Sequence, residues 1–151
     1  MIHCKSIVFF YRVLIFPFFI VKSDLFLFKY DLKESSSEQL HKVSGEANTV
    51  TFSWNGRHVV SVHCSKLMMY DTLKSKTWHR RVPKSRHFFQ CVGVDPNDPT
   101  RYVAAGDKGG RIYVWEGPFG RATDPFLLHW HYSGVNDIVF SPDGMMYHYL
   151  F

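Results

Sequence analysis

Apolar residues from Ala47 onward recur in a fixed local order: one apolar residue, another three positions on, a third two beyond that, then Ser or Asp opening a turn. Ala47, Val50 and Phe52 precede Ser53-Trp54-Asn55-Gly56; Phe89, Val92 and Val94 precede Asp95-Pro96-Asn97-Asp98; Val135, Ile138 and Phe140 precede Ser141-Pro142-Asp143-Gly144. Successive copies start 42 and 46 residues apart. The last two apolar residues of each copy are two positions apart, so they project from one face of a strand into a core. Asn55-Gly56 and Asp143-Gly144 suit the positive φ of tight turns, and Pro96 and Pro142 preset φ at the turn entry.

More strands follow each turn. Val59 to Val62 leads through His63-Cys64-Ser65 into Lys66 to Asp71, and Tyr102 to Ala105 leads through Gly106-Asp107-Lys108-Gly109-Gly110 into Arg111 to Trp115. The second of these closing strands alternates Ile112 and Val114 with Arg111 and Tyr113, and the Gly-Gly step supplies a hairpin. Tyr70-Asp71 and Trp115-Glu116 end the closing strands 45 residues apart. Four short strands per period predict an all-β chain, with residues 40–151 forming a partial β-propeller of about two blades and the start of a third.

A period of this length with an aromatic-acid pair resembles the WD-repeat family. Tyr70-Asp71 and Trp115-Glu116 stand for its Trp-Asp pair, and Phe140-Ser141-Pro142-Asp143-Gly144 is close to its consensus. His131, four residues before Val135, is near the family's Gly-His, which implies a structural strand-linking role. The family often carries an Asp six residues before the Trp to orient that histidine; here the position holds Gly109, and Cys64 in the first copy, so the resemblance implies that neither blade forms the usual Asp-His network. Within the family, Phe126-Leu127-Leu128-His129-Trp130-His131 with Val135 to Ser141, and Ala104 to Trp115 before them, resemble the nucleolar WD-repeat subunit of the t-UTP (UtpA) subcomplex of the small-subunit processome. The likeness covers about residues 43–151. It implies a scaffold, not a catalyst, in the nucleus and nucleolus, assembling with other processome proteins on pre-rRNA and supporting pre-rRNA processing and RNA polymerase I transcription.

Composition narrows the picture. At 151 residues the chain is about one domain long, and 46% hydrophobic with 21% charged residues excludes disorder as the main state. A net charge of +5 admits an anionic partner without demanding one. Cys4, Cys64 and Cys91 are odd in number and form no C-x-x-C, which fits a reduced, intracellular compartment. Residues 1–39 differ from the rest. Ile7 to Val21 is apolar and Phe-rich but falls short of a bilayer span and contains Arg12 and Pro17, so a membrane partner is not expected. Lys5 precedes the run as in a secretory signal, yet Val21-Lys22-Ser23-Asp24 offers no cleavage site. A strand from a preceding unit, or sequence foreign to the domain, remain the alternatives. Ser35-Ser36-Ser37 between charged residues reads as a linker.

No catalytic constellation emerges. There is no Walker-type loop, and Ser61, Ser65, Ser85 and Ser133 lack a nucleophile elbow. His58, His63 and Cys64, or His129 and His131, match no zinc spacing. Asp95 and Asp98 flank a Pro-Asn turn, where carboxylates bond the local backbone. No enzyme activity, cofactor, metal or small-molecule substrate is expected. One stretch points to binding: Lys74, Lys76, Arg80, Arg81, Lys84 and Arg86, interleaved with Trp78, His79 and His87 and free of acids from Thr72 to Gln90. Read as a basic loop between the first two repeats, it can contact RNA phosphates while stacking on a base, or meet an acidic protein, or serve only as a solvated connection. A closed ring needs more blades than this, so the expectation is a piece of a longer protein. WD-repeat adaptors of ubiquitin ligases, vesicle coats, signalling and chromatin complexes are the rival class.

Overall fold

The alternation of apolar and polar positions becomes twelve strands among the residues described by the computed structural model, which are 25–31, 36–43, 47–54, 56–81, 87–117, 124–129, 132–145 and 147–150. They are β1 (Leu25–Asp31), β2 (Ser36–Val43), β3 (Thr49–Phe52), β4 (His58–His63), β5 (Lys66–Asp71), β6 (Lys76–Arg81), β7 (Phe89–Val94), β8 (Tyr102–Asp107), β9 (Arg111–Glu116), β10 (Phe126–His129), β11 (Asp137–Phe140) and β12 (Tyr147–Leu150). The chain divides into two compact units, Met1–Ala47 and Asn48–Phe151.

In the first unit, β1 and β2 pair antiparallel, Leu25 opposite Val43 and Asp31 opposite Ser36. Ser36 and Ser37, expected in a linker, open β2 instead, because their backbone groups complete the ladder opposite Asp31 and Tyr30. β2 therefore crosses the expected 39/40 boundary. The apolar run from Ile7 to Val21 lies outside the described residues.

In the second unit the order is β3-β4-β5-β6, then β7-β8-β9-β10, then β11-β12. All pairings are antiparallel. The sequence-level blades are thus four-stranded sheets, and the third copy forms a hairpin.

The middle sheet is packed on both faces. Toward the first sheet it turns Phe89, Val92, Val94, Val103, Ala105, Tyr113 and Trp115, which meet Val60, Val62, Leu67 and Met69. Toward the third sheet it turns Cys91, Ala104 and Ile112, which meet Val135, Ile138 and Phe140. The three-then-two spacing has its explanation here. A bulge between Phe89 and Cys91 leaves Gln90 unpaired and shifts the alternation by one, so that Phe89 shares a face with Val92 and Val94. Phe89 is wholly buried and meets Tyr113 and Trp115 edge-on at 5.4 and 6.1 Å. On the third-sheet side, Gly93 and Gly106 allow a close approach. A Cβ at Gly93 would lie 2.6 Å from the Ile138 carbonyl oxygen, so only glycine permits that approach. Val50 and Phe52, expected in the core, are half-buried.

Candidate interaction surface

The described centre of the basic stretch is a strand, not a loop. Lys76 to Arg81 forms β6, the outer strand of the first sheet, with Lys76 opposite Asp71, Trp78 opposite Met69 and Arg81 opposite Lys66. Its only large apolar residue is Trp78, so half of the strand meets solvent and the apolar signal of a strand is weak. Trp78 packs against the first core, and Lys76 Nζ lies 5.3 Å from the centre of its ring. The indole is thus divided between packing and a cation, unlike the free stacking platform expected of a loop aromatic. Lys74 sits in the exposed turn before β6, and Ser75 beside it has φ +49°. Lys84, Arg86 and His131 lie outside the described residues.

That turn is held by Asp71. Its buried carboxylate takes Arg57 Nη2–H at 2.9 Å on Oδ2, and the backbone N–H groups of Leu73 and Lys74 at 2.9 and 3.1 Å on Oδ1. Burial pushes the Asp71 pKa up, but the Arg57 hydrogen bond and the two backbone donors outweigh it and hold the group at about 2. His58 Nε2 lies 3.7 Å from Oδ2. Burial lowers the His58 pKa, against a smaller upward pull from Asp71.

The two aromatic-acid pairs differ. Tyr70 and Trp115 are both buried. Glu116, unlike Asp71, lies exposed, with Tyr102 Oη 3.5 Å away. In the β8–β9 turn of the second blade a buried carboxylate comes from Asp107, two residues before the position expected from the family pattern. Asp107 Oδ1 takes the N–H groups of Gly109 at 2.8 Å and Arg111 at 3.0 Å, and Oδ2 takes the Tyr113 hydroxyl at 3.3 Å. The sequence reading passed over this residue. Its signal was an acid two residues before a Gly-Gly step, opening a turn whose own N–H groups need an acceptor.

The signature turn of the third copy is closed by its own residues. Gly144 has φ +71° and donates its N–H to the Ser141 carbonyl at 2.8 Å, while Ser141 Oγ–H donates to Asp143 Oδ1 at 2.5 Å. The Ser141 hydrogen bond leads in lowering the Asp143 pKa, with a backbone donor from Met145 adding to it. Pro142 accepts a hydrogen bond from Asn97 Nδ2. Asp95 Oδ1 takes the N–H of Asn97 and of Asp98, as expected for a Pro-Asn turn. Among the described residues no group of three or more His, Cys, Asp or Glu stands ready to hold a metal ion. No helix there is long and apolar enough to cross a membrane.

No protein-family model matches the chain. It is 26% identical over 140 residues to human "WD repeat-containing protein 75", a match covering 82% of this chain and 17% of that protein. A chain from the crystal structure of a mitotic checkpoint complex superposes with a TM-score of 0.70 over 97% of this chain and 47% of its own length, at 13% sequence identity. The chain therefore spans less than half of either relative. Two four-stranded antiparallel sheets and a third hairpin, joined in one repeating order, give this protein the all-β fold of part of a WD-repeat β-propeller.

Proposed function

We propose that the protein is a non-catalytic WD-repeat scaffold in nucleolar small-subunit processome assembly, supporting pre-rRNA processing and RNA polymerase I transcription. The similarity to human WD repeat-containing protein 75 over most of the chain carries this reading. The resemblance of Leu128-His129-Trp130-His131 and its neighbouring blade to the t-UTP subunit supports it. So does a structure whose conspicuous features are packed sheets and exposed turns, the equipment of a docking platform. Nucleus and nucleolus are the expected locations, other processome proteins the expected partners, and Lys74, Lys76, Trp78, Arg80, Arg81, Lys84 and Arg86 the expected contact for pre-rRNA or an acidic partner.

The test is expression of the tagged full chain in nucleated cells, with imaging and sequencing of co-purified RNA. Nucleolar signal with enriched pre-rRNA and processome proteins is expected. Cytosolic association with a ubiquitin ligase or a vesicle coat overturns the proposal in favour of an adaptor role.

A further inference from the structure

Three segments from two sheets converge beside β7. The carbonyl of Cys64, in the β4–β5 turn, accepts the Phe89 N–H at 2.8 Å, and the carbonyl of Phe88 accepts the N–H of Lys108, in the β8–β9 turn, at 3.1 Å. The His87 ring reaches within 2.5 Å of the point where a Cβ on Gly109 would sit. Backbone bonds thus fix this junction. Lys66 and Lys108 are exposed on it, Phe88 is 55% exposed between them, and Arg81 ends β6 opposite Lys66. Lys66 and Arg111 occupy the same place in successive blades, each opening the third strand of its sheet. Asp107, the acid of the second turn, is fully buried with both oxygens engaged by Gly109, Arg111 and Tyr113, so its charge faces inward.

We propose that this junction is a binding site for single-stranded RNA, with Lys66, Lys108 and Arg111 against phosphates and the Phe88 ring stacked on an unpaired base. The proposal rests on the pre-rRNA reading above and extends it to residues outside the stretch from Lys74 to Arg86. Cations drawn from two blades whose turns are bonded to the backbone beside an exposed ring suit a strand that alternates charge with flat bases. A duplex hides those bases, and a peptide of acidic residues alone engages the cations without the ring.

Fluorescence anisotropy with labelled oligouridine, duplex RNA and poly-glutamate, using the full chain and a circular-dichroism check of each variant, tests this. Oligouridine is expected to bind best. Phe88→Ala should weaken it about tenfold, with Phe88→Trp retaining affinity. Lys66→Gln with Lys108→Gln should reduce the log–log salt slope by about 1.4, since each single-strand phosphate contact contributes about 0.7. Arg101→Gln, in the β7–β8 turn at the opposite end of the second sheet, should change little. An unchanged affinity in Phe88→Ala, equal binding of duplex, or poly-glutamate binding with the same variant sensitivity overturns the site, the last in favour of an acidic protein. A chain that enriches pre-rRNA in cells but ignores oligouridine loses this site and keeps its processome role.

Discussion

The backbone N–H of Trp54 donates to the carbonyl of Pro96 at 3.1 Å, joining the first turn of one sheet to the first turn of the next. At the following seam the residue equivalent to Trp54 is Pro96 itself, which has no N–H to give. Asn97 replaces it from the side chain, with Nδ2 donating to the Pro142 carbonyl at 2.9 Å. One seam is thus bonded through backbone and the other through an amide side chain.

The second seam is therefore open to mutation where the first is not. Asn97→Ala is expected to cost about 0.5–1 kcal/mol, the usual net worth of a neutral hydrogen bond near solvent. Hydrogen exchange should report faster exchange at Ile138 and Phe140 than in the parent, with β4 amides unchanged.

Gly93→Ala should cost more. The added methyl would lie 2.6 Å from the Ile138 carbonyl oxygen and 2.9 Å from its Cγ2, and backbone cannot move aside as a side chain can. Overpacking of this kind costs about 1–3 kcal/mol, measurable as a lower midpoint in urea.

Acid should act in two stages. Burial holds the folded-state pKa of His58 below the ordinary imidazole value of 6.5, so the unfolded chain takes up that proton first and stability falls as pH drops below about 6.5. Asp71 is depressed from 3.8 to about 2, so its contribution is fully present above about pH 4 and disappears as pH falls toward 2. A shift of that size corresponds to about 2 kcal/mol. Urea melts across pH should show both stages, and His58→Phe should remove the upper one while leaving the lower.

Thiol chemistry offers a probe of the sheet interface. Cys91 is buried, its Sγ 3.3 Å from the Val135 carbonyl, and burial pushes its pKa up to about 12. Cys64 is exposed in its turn. Iodoacetamide with peptide mass spectrometry should label Cys64 in the native chain and leave Cys91 unmodified until denaturant opens the seam between the second and third sheets.

The strands of the repeat were legible because each half-buried strand must alternate and each tight turn needs Gly, Pro, Asn or Asp. Tyr70 and Trp115 marked the third strands for the same reason: both side chains fill a core. β6 was illegible as a strand because an outer strand needs little apolar content, and Lys-Thr-Trp-His-Arg-Arg looks like a solvated connection until its backbone is paired with β5. Asp107 escaped notice because its task is local, accepting N–H groups of its own turn, and no periodicity announces such a contact. The junction around Phe88 assembles residues 22 and 20 positions apart, from Lys66 to Phe88 and on to Lys108, and only the fold brings these together.

The middle sheet has a bulky side and a slender side: Phe89, Tyr113 and Trp115 on one, Cys91, Gly93, Ala104 and Gly106 on the other. A slip of one residue in any of its ladders would deliver indole and phenol rings into the narrow gap beneath Val135 and Ile138, and leave voids where the rings had been. Misaligned pairings are thereby rejected by two cores at once, so this sheet sets the alignment of the array from within.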